Sequence, residues 1–250
     1  MGPEFQLLEW DTQHFGVRIG RVMLREADDE AFRRASEWAR LSSIDCMYLL
    51  TNATDGSAIQ LASEWGWRLV DPRITLEGQV STIAKSSLGV RPATEDDITQ
   101  LRELASRSHR DSRFYADGNF SKHACNRLFA KWIERSVRDR DFAGTVLVAE
   151  SSPGSPAGYI TCTMREGVGQ IGLIAVDEKA RGAGLGASLV AESANWFRAQ
   201  GAERVSVVTQ AQNVAALRMY HRCGFSIKSV ELWFHWWRTE AGNRGKPTRR

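Results

Sequence analysis

A glycine-rich turn between an apolar segment and a helical segment constrains the fold of this chain most strongly. The turn spans residues 181–186 and reads Arg-Gly-Ala-Gly-Leu-Gly, and residues 171–176 before it are apolar, as in a buried strand. Residues 187–200 after it carry apolar side chains at helical spacing. Because glycines adopt positive φ and successive N–H groups converge at a helix N-terminus, this arrangement favours phosphate binding. The glycine spacing matches neither the dinucleotide fingerprint nor the P-loop, and a turn without a ligand stays open as an alternative.

The composition predicts a globular protein without a membrane or nucleic-acid partner. No apolar run in the 250 residues approaches the roughly 20 needed to span a bilayer, and the N-terminus lacks a signal-peptide pattern. Residues 238–250 hold five basic residues and one acidic residue, so this segment carries 5 − 1 = +4 of the net charge of +3. The remainder carries 3 − 4 = −1, which gives no nucleic-acid footprint. We therefore expect a basic disordered tail over residues 239–250.

The four cysteines point to a reducing compartment. Cys46, Cys125, Cys162 and Cys223 are scattered, and none belongs to a Cys-x-x-Cys pair. This spacing argues against a metal site and against a disulfide framework. We expect a cytoplasmic protein without a bound metal.

Cap and turn signals divide the chain into alternating strands and helices. Asp28 or Asp29 is predicted to cap a helix, and Gly66 is predicted to end the next one. A hairpin is expected across residues 151–156, which are rich in serine and proline. Residues 108–120 form a polar, aromatic segment that is predicted to be a loop.

The N-terminal third repeats the pattern of the C-terminal region. Shifting the chain by 158 residues aligns residues 47–55 with residues 205–213 without a gap and places Gly66 on Gly224. The apolar pattern agrees over about 40 residues, although the identities are few. We interpret residues 1–85 as a degenerate half-copy of the unit that occupies residues 88–238; chance similarity between two generic strand–helix units is the alternative.

The two copies differ where chemistry is expected. The first copy has no glycine turn between its first strand and its first helix. It has Ala62 where the second copy has Tyr220, and Asp55 where the second copy has Asn213. Any catalytic site is therefore expected in the second copy.

Two motifs resemble those of the GCN5-related N-acetyltransferases, the GNAT family. The glycine turn is similar to the family's Arg/Gln-x-x-Gly-x-Gly/Ala motif, and Asn213, Tyr220 and Gly224-Phe225 are spaced like its downstream helix and turn. The resemblance covers about residues 88–238 and implies an α/β (α+β) fold. That fold has a central mixed, mostly antiparallel sheet flanked by helices, here with an N-terminal degenerate half-GNAT domain.

The resemblance implies acetyl-CoA as cofactor and a set of residues that would hold it. The backbone of one strand would splay from its neighbour and bind the pantetheine arm, and the turn would hold the pyrophosphate. Asn213 would contact the pantetheine or the phosphate arm. The strand and turn residues are Leu173, Ile174, Ala175, Val176, Arg181, Gly182, Ala183, Gly184, Leu185 and Gly186. Tyr220 would act as general acid towards the leaving thiolate. A packed tyrosine bonded to a backbone carbonyl is the alternative.

The general base is left unnamed. Residues 170–176 contain no acidic side chain. His109 and Asp111 are weaker candidates, since a polar surface loop explains them equally well. A sugar amine with a near-neutral pKa could instead lose its proton through ordered water.

A narrower resemblance concerns the acceptor. Residues 10–16, 112–114 and 129–138 are similar to the TDP-fucosamine acetyltransferase family. This similarity implies transfer to the 4-amine of a dTDP-4-amino-4,6-dideoxy sugar. Four residues of the polar segment are candidates for binding this nucleotide sugar: Arg110 and Arg113 for the diphosphate, and Phe114 and Tyr115 for stacking. An ordinary surface loop is the alternative.

Three other classes stay open. A GNAT enzyme for a peptide, an antibiotic or a small amine would share the cofactor site and differ in the acceptor segment. A non-catalytic CoA-binding module would keep the glycine turn without needing Tyr220. An interaction protein could be built around the aromatic residues 233–237, although such a run is more typical of core plus a dimer surface. A homodimer is therefore an expectation.

Overall fold

The computed structural model describes residues 3–83 and 89–238, so the predicted tail at 239–250 lies outside the described residues. The strands are β1 (Glu4–Leu7), β2 (Ile19–Met23), β3 (Cys46–Asn52), β4 (Arg68–Gln79), β5 (Val90–Pro92), β6 (Thr145–Ser152), β7 (Ser155–Arg165), β8 (Val168–Val176), β9 (Arg204–Gln210) and β10 (Ser226–Trp237). The helices are α1 (Glu9–Phe15), α2 (Asp29–Leu41), α3 (Gly56–Glu64), α4 (Ile98–Arg107), α5 (Arg113–Ala116), α6 (Lys122–Arg138), α7 (Leu185–Ala199) and α8 (Val214–Arg222).

The strands form a mixed sheet, as the sequence predicted. Hydrogen bonding orders them β1-β2-β3-β10-β4-β9-β8-β7-β6-β5 within the described residues. β2 and β3 pair in parallel, as do β8 and β9. Antiparallel pairing joins β1 to β2, β3 to β10, and the series β5 to β8. The predicted hairpin is formed by β6 and β7, and none of the described helices has both the length and the apolar character needed to cross a bilayer.

The described chain divides into two compact units at positions that differ from the predicted domain boundary near residue 85. The first unit comprises residues 3–73, 113–120 and 230–238, and the second comprises residues 74–83, 89–112 and 121–229. Strands β4 and β10 are each divided between the units, and the short helix α5 belongs to the first. The sequence predicted a loop here, so α5 is a difference from that prediction.

The first unit has an apolar core between α2, α3 and one face of its strands. Phe32, Ala35 and Ala39 of α2 lie at helical spacing and are buried in it. Asp28 caps α2, because its side chain accepts a hydrogen bond from the backbone N–H of Ala31 at 2.7 Å. This cap fixes where the helix begins and thereby which of its faces meets the core.

Arg238, the last residue that the structure describes, belongs to the first unit. Its guanidinium Nη2 donates to the carbonyl oxygens of Ala39 and Ile44, both at 2.7 Å. These bonds satisfy carbonyl groups at the end of α2.

The second unit places β8 between β7 and β9 and follows it with α7. Leu189, Val190 and Phe197 of α7 are buried. A Cβ atom on Gly169 of β8 would lie 2.6 Å from the Phe197 ring, so glycine lets α7 pack directly on this strand. The helix that begins after the glycine turn is thereby fixed against the strand that precedes it.

Element bounds support the predicted duplication. β3 and β9, α3 and α8, and β4 and β10 are each offset by 158 residues at both ends; for the first pair 204 − 46 = 158. Asp55 caps α3 by accepting a backbone N–H at 3.0 Å, and Asn213 caps α8 in the same way at 3.1 Å. Gly66 and Gly224 end these helices with φ of +77° and +89°. Five residues join β2 to α2, whereas eight join β8 to α7, and the additional length carries the glycine turn.

Candidate active site

Strand β8 separates from β9 before it reaches the glycine turn. Pairing between the two strands runs from Gly169 opposite Val205 to Ile171 opposite Val207. β8 itself continues to Val176, paired with β7 on its other edge. The last part of β8 therefore presents backbone groups beyond the end of the β9 ladder, as the family resemblance implied.

Alternation along β8 decides which backbone groups face this open edge. Asp177 N donates to Ala157 O at 2.7 Å, which fixes the phase of the β7–β8 ladder. Because bonded and open positions alternate in an antiparallel pair, Ala175 directs its backbone groups towards β7. Ile174 and Val176 direct theirs away from β7. Two of the four predicted residues therefore direct backbone groups to the open edge, where the carbonyl oxygen of Val176 accepts a hydrogen bond from Arg181 Nε.

The expectation that the backbone of Leu173 is free was wrong for its amide group. Leu173 N donates to Thr161 Oγ1 at 2.8 Å, next to a bulge in the β7–β8 ladder. A Cβ atom on Gly172 would lie 2.8 Å from the same hydroxyl. The sequence analysis missed Thr161; a glycine inside an apolar strand, which marks a close approach, was the available signal.

The glycine turn has the geometry of an anion-binding site. Gly182 and Gly184 have φ of +84° and +82°, which side-chain-bearing residues rarely adopt. Gly184 is the N-cap of α7 and offers no side-chain cap, so the first N–H groups of the helix are left for a ligand. Residues 181–184 are exposed.

Two further residues shape the turn. A Cβ atom on Gly186 would lie 2.7 Å from Met219 Sδ, so glycine allows α8 to approach the first turn of α7. Arg181 Nε donates to Val176 O at 3.3 Å, and its Nη1 lies 3.9 Å from Glu178 Oε1. Since the Arg181 side chain is exposed and its ion pair is long, the guanidinium can turn towards an anion at low cost.

Tyr220 lies buried on α8. The residue is 1% exposed, its ring centroid is 5.5 Å from that of Phe225, and burial raises the pKa of its phenol above the ordinary value. Cys223 and Cys162 are close enough to add to this shift, and Cys162 pairs with Ile171 of β8. Within the described residues no hydrogen bond is made by Tyr220 Oη, so the alternative of a tyrosine bonded to a backbone carbonyl is not what the structure has.

Asn213 uses one end of its amide for the fold. Its Oδ1 accepts the N–H of Ala216 and caps α8 at 3.1 Å. In the part of the chain that the structure describes, Nδ2 makes no hydrogen bond. A contact with a cofactor would therefore use Nδ2.

The predicted acceptor residues fall in different units. Arg110 is exposed in the second unit, whereas Arg113, Phe114 and Tyr115 lie on α5 in the first. Phe114 is 8% exposed, and its ring packs 5.4 Å from that of Phe15. Little of this ring is left for a nucleobase, so the predicted stacking role of Phe114 is not supported. Tyr115 is half-buried.

His109 lies half-buried within the polar segment of residues 108–120. Its Nε2 lies 2.8 Å from Tyr159 Oη, its ring stacks on Phe129 at 4.7 Å, and burial lowers its pKa to about 4. Its φ of +58° is unusual for a residue other than glycine. A hydrogen-bonded imidazole of low basicity makes a poor general base at neutral pH.

The comparison with known proteins points to the family whose motifs the strand β8 and the glycine turn resemble. The model of the Acetyltransferase (GNAT) family matches residues 98–225. The chain is 30% identical over 229 residues to a dTDP-fucosamine acetyltransferase of Escherichia coli O6:H1, covering 91% of this chain and 96% of that protein. It is 29% identical over 146 residues to the spore coat polysaccharide biosynthesis protein SpsD of Bacillus subtilis, covering 58% of this chain and 50% of that protein.

Solved structures share the fold at low sequence identity. A GCN5-related N-acetyltransferase from Sphaerobacter thermophilus superposes with a TM-score of 0.66 at 15% identity, over 94% of this chain and 76% of that chain. A tandem GNAT protein from the clavulanic acid biosynthesis pathway superposes with a TM-score of 0.59 at 14% identity, over 92% and 77%. The glycine turn, the splayed strand and these matches lead to one conclusion: the chain belongs to the GNAT family of acetyltransferases.

Proposed function

We propose that this enzyme transfers the acetyl group of acetyl-CoA to the 4-amine of a dTDP-4-amino-4,6-dideoxy sugar. The observation that carries the proposal is the 30% identity to the Escherichia coli dTDP-fucosamine acetyltransferase. That alignment covers 91% of this chain, so it extends well beyond the cofactor motifs into the N-terminal region. This extent supports an acceptor of the same class, an amino sugar linked to a nucleotide.

The glycine turn and the open edge of β8 fit coenzyme A. The turn would hold the pyrophosphate, chiefly through backbone N–H groups; its residues are Arg181, Gly182, Ala183, Gly184, Leu185 and Gly186. The backbone of Ile174 and Val176 would bond the amides of the pantetheine arm, and Asn213 Nδ2 would donate to the arm. Leu173 and Ala175 would keep β8 in register with β7. When bound, acetyl-CoA supplies an activated acetyl thioester.

Tyr220 is proposed as the general acid. Burial keeps its phenol protonated at neutral pH, and its Oη makes no hydrogen bond in the described residues, so it can donate to a leaving thiolate. The N–H of Ile174, directed away from β7, is the proposed donor to the thioester carbonyl. A preorganised donor of this kind contributes about 3 kcal/mol to transition-state stabilisation.

The amine attacks directly, and no protein base is proposed. His109 is hydrogen-bonded and weakly basic, and residues 170–176 contain no acid. A sugar amine with a near-neutral pKa can lose its proton to ordered water. The protein then contributes chiefly by positioning the two substrates.

An acceptor screen tests this proposal. The enzyme is incubated with acetyl-CoA and a panel of dTDP- and UDP-linked amino sugars, free amino sugars, peptides and polyamines, and the released thiol is measured. We expect turnover with the dTDP-linked 4-amino sugar. Turnover with peptides or polyamines alone would contradict the proposal and favour a GNAT enzyme of another acceptor class. Binding of CoA without turnover on any amine would favour a non-catalytic module.

A further inference from the structure

One face of the strands in the first unit is charged and aromatic. Along β10, Phe234 points into the apolar core, and Trp233 and His235 therefore lie on the opposite face. Tyr48 of β3 pairs with His235, and Arg21 of β2 pairs with Tyr48, which puts both on that face. We call this surface the arginine face; it comprises Arg21, Tyr48, Arg73, Arg113, Glu231 and Trp233.

Arg113 is held rigidly on the arginine face. Its guanidinium carbon lies 4.2 Å from the Tyr48 ring centroid and 4.3 Å from that of Trp233. Its Nη1 donates to His235 Nε2 at 3.1 Å, while His235 Nδ1 donates to Asp117 Oδ2 at 2.7 Å. Burial lowers the pKa of His235 to about 4, so the imidazole is neutral and can accept from Arg113. The remaining guanidinium N–H groups of Arg113 make no hydrogen bond in the described residues.

Arg21 carries a charge that no acceptor satisfies within the described part of the chain. Its Nε is buried without a hydrogen-bond partner, and its guanidinium carbon lies 5.7 Å from the Trp233 ring centroid. Its charged neighbours are Arg113, Arg73 and Glu231, and Arg73 already pairs with Glu231. Arg21 therefore has two positively charged neighbours and one carboxylate that is already paired with Arg73. Its own guanidinium lacks a counterion among these residues.

A buried hydroxyl belongs to the same cluster. Tyr48 is fully buried, and its Oη has no hydrogen-bond partner. A buried polar atom without a protein partner is rare in native folds, and a bound ligand can supply the missing hydrogen bond. The unpaired hydroxyl is a second observation, separate from the charges of the arginines, and the Tyr48 ring lies in contact with Arg113.

We propose that the arginine face binds a diphosphate group, with Arg21 and Arg113 as its ligands and the Tyr48 hydroxyl as a further donor. Guanidinium groups match phosphate oxygens through two parallel N–H donors each. This inference rests on the proposed function, because the diphosphate is that of the nucleotide-linked acceptor. The first unit, which lacks the glycine turn, would thus bind phosphate through side chains where the second unit uses backbone.

Titration of the full-length enzyme with dTDP tests the site. Calorimetry is done in saturating coenzyme A, so that dTDP cannot occupy the glycine turn. We expect dTDP to bind and thymidine, which lacks phosphate, to bind at least about tenfold more weakly. Arg21→Gln should weaken dTDP binding at least about tenfold and leave coenzyme A affinity unchanged. Arg25→Gln is the matched control, because Arg25 is exposed and pairs with Glu4, and it should bind dTDP like the wild type.

Arg21→Lys is the second variant, should Arg21→Gln fail to fold. It keeps the charge and loses the fork, so its dTDP affinity should fall between those of wild type and Arg21→Gln. A folded Arg21 variant with wild-type dTDP affinity would overturn the site, as would the absence of dTDP binding to the wild type. Neither result requires turnover, so both are distinct from failure of the acceptor screen, which reads thiol release.

Discussion

At the residue scale, the proposal concerns the phenol of Tyr220 as general acid. Tyr220→Phe removes one oxygen atom that makes no protein hydrogen bond in the described residues, so the fold should be little affected. We expect kcat to fall about 10²- to 10⁴-fold, the usual contribution of a general acid. The KM of acetyl-CoA should stay within about twofold, since binding and proton transfer are separate contributions. Steady-state kinetics with the acceptor found in the screen measure both.

Tyr159→Phe is the matched control for this variant. Tyr159 is also buried, but its hydroxyl bonds His109, so its loss should lower the free energy of unfolding by about 1 kcal/mol. Its kcat should be that of the wild type. Equal loss of kcat in both variants would mean that any buried hydroxyl matters, and Tyr220 would lose its role as acid.

Two glycines offer a second residue-scale comparison. Gly182 in the glycine turn and Gly154 in the β6–β7 hairpin have φ of +84° and +76°, and a Cβ at either would meet nothing within 4 Å. Alanine at either should therefore cost about 1–2 kcal/mol of unfolding free energy. Only Gly182→Ala should weaken coenzyme A binding, by roughly tenfold, because it moves the N–H groups of the turn. Titration calorimetry and urea denaturation separate the two effects, and equal coenzyme A affinities would contradict the assignment of the turn.

The resemblance to a GNAT motif with fixed separations led to Tyr220 and Asn213. The amide of Leu173 was not predictable in this way. Its partner Thr161 lies 12 residues earlier on another strand, and the bond depends on a bulge. The burial of Phe114 depends likewise on aromatic neighbours that are distant in sequence.

At the element scale, α3 and α8 test whether equivalent positions have diverged in function. Asp55 and Asn213 cap these helices through the same bond. Alanine at either should lower the free energy of unfolding by about 1 kcal/mol. Asn213→Ala should also weaken coenzyme A binding severalfold, whereas Asp55→Ala should not. If coenzyme A affinity is unchanged in both variants, Asn213 caps α8 and does not bind the cofactor.

The sequence predicted most elements because local signals agreed with the 158-residue repeat. Strand β9 and helix α8 lie 158 residues after β3 and α3, as the aligned segments indicated. The alternation that leaves Ile174 and Val176 open was not predictable, because a strand's phase depends on the register of its neighbour. Helix α5 was missed because four residues are too few to show a period.

At the scale of the whole molecule, buried histidines make stability depend on pH. Burial lowers the pKa of His235 from the ordinary 6.5 to about 4. Between these values the unfolded chain binds a proton that the folded protein excludes, so stability falls as pH falls through this window. The limiting slope is about 1.4 kcal/mol per pH unit for one histidine, and His109 should add to it.

Urea denaturation at several pH values between 7 and 4 measures this slope. His235→Asn should reduce it, because asparagine keeps an N–H for Asp117 and cannot be protonated in this range. A variant with the wild-type slope would show that another group controls acid stability.

The fold class was predictable because the two motifs and the order of elements were consistent over the C-terminal region. The division into compact units was not, since β4 and β10 are each shared between units and β4 continues as a strand through Pro72, beside its division. Homodimer formation and cytoplasmic location stay predictions; sedimentation velocity and cell fractionation address them.

The central claim is that this GNAT enzyme acetylates an amine on a nucleotide-linked sugar. The most direct measurement is kcat/KM for the dTDP-linked 4-amino sugar, compared with the same sugar as its 1-phosphate and with a peptide amine. We expect the nucleotide-linked sugar to be preferred by at least about 10³-fold, because loss of the nucleoside and one phosphate removes charged contacts. Mass spectrometry and NMR should show one acetyl group on its 4-amine. Equal kcat/KM with and without the nucleotide, or preference for the peptide, would contradict the account.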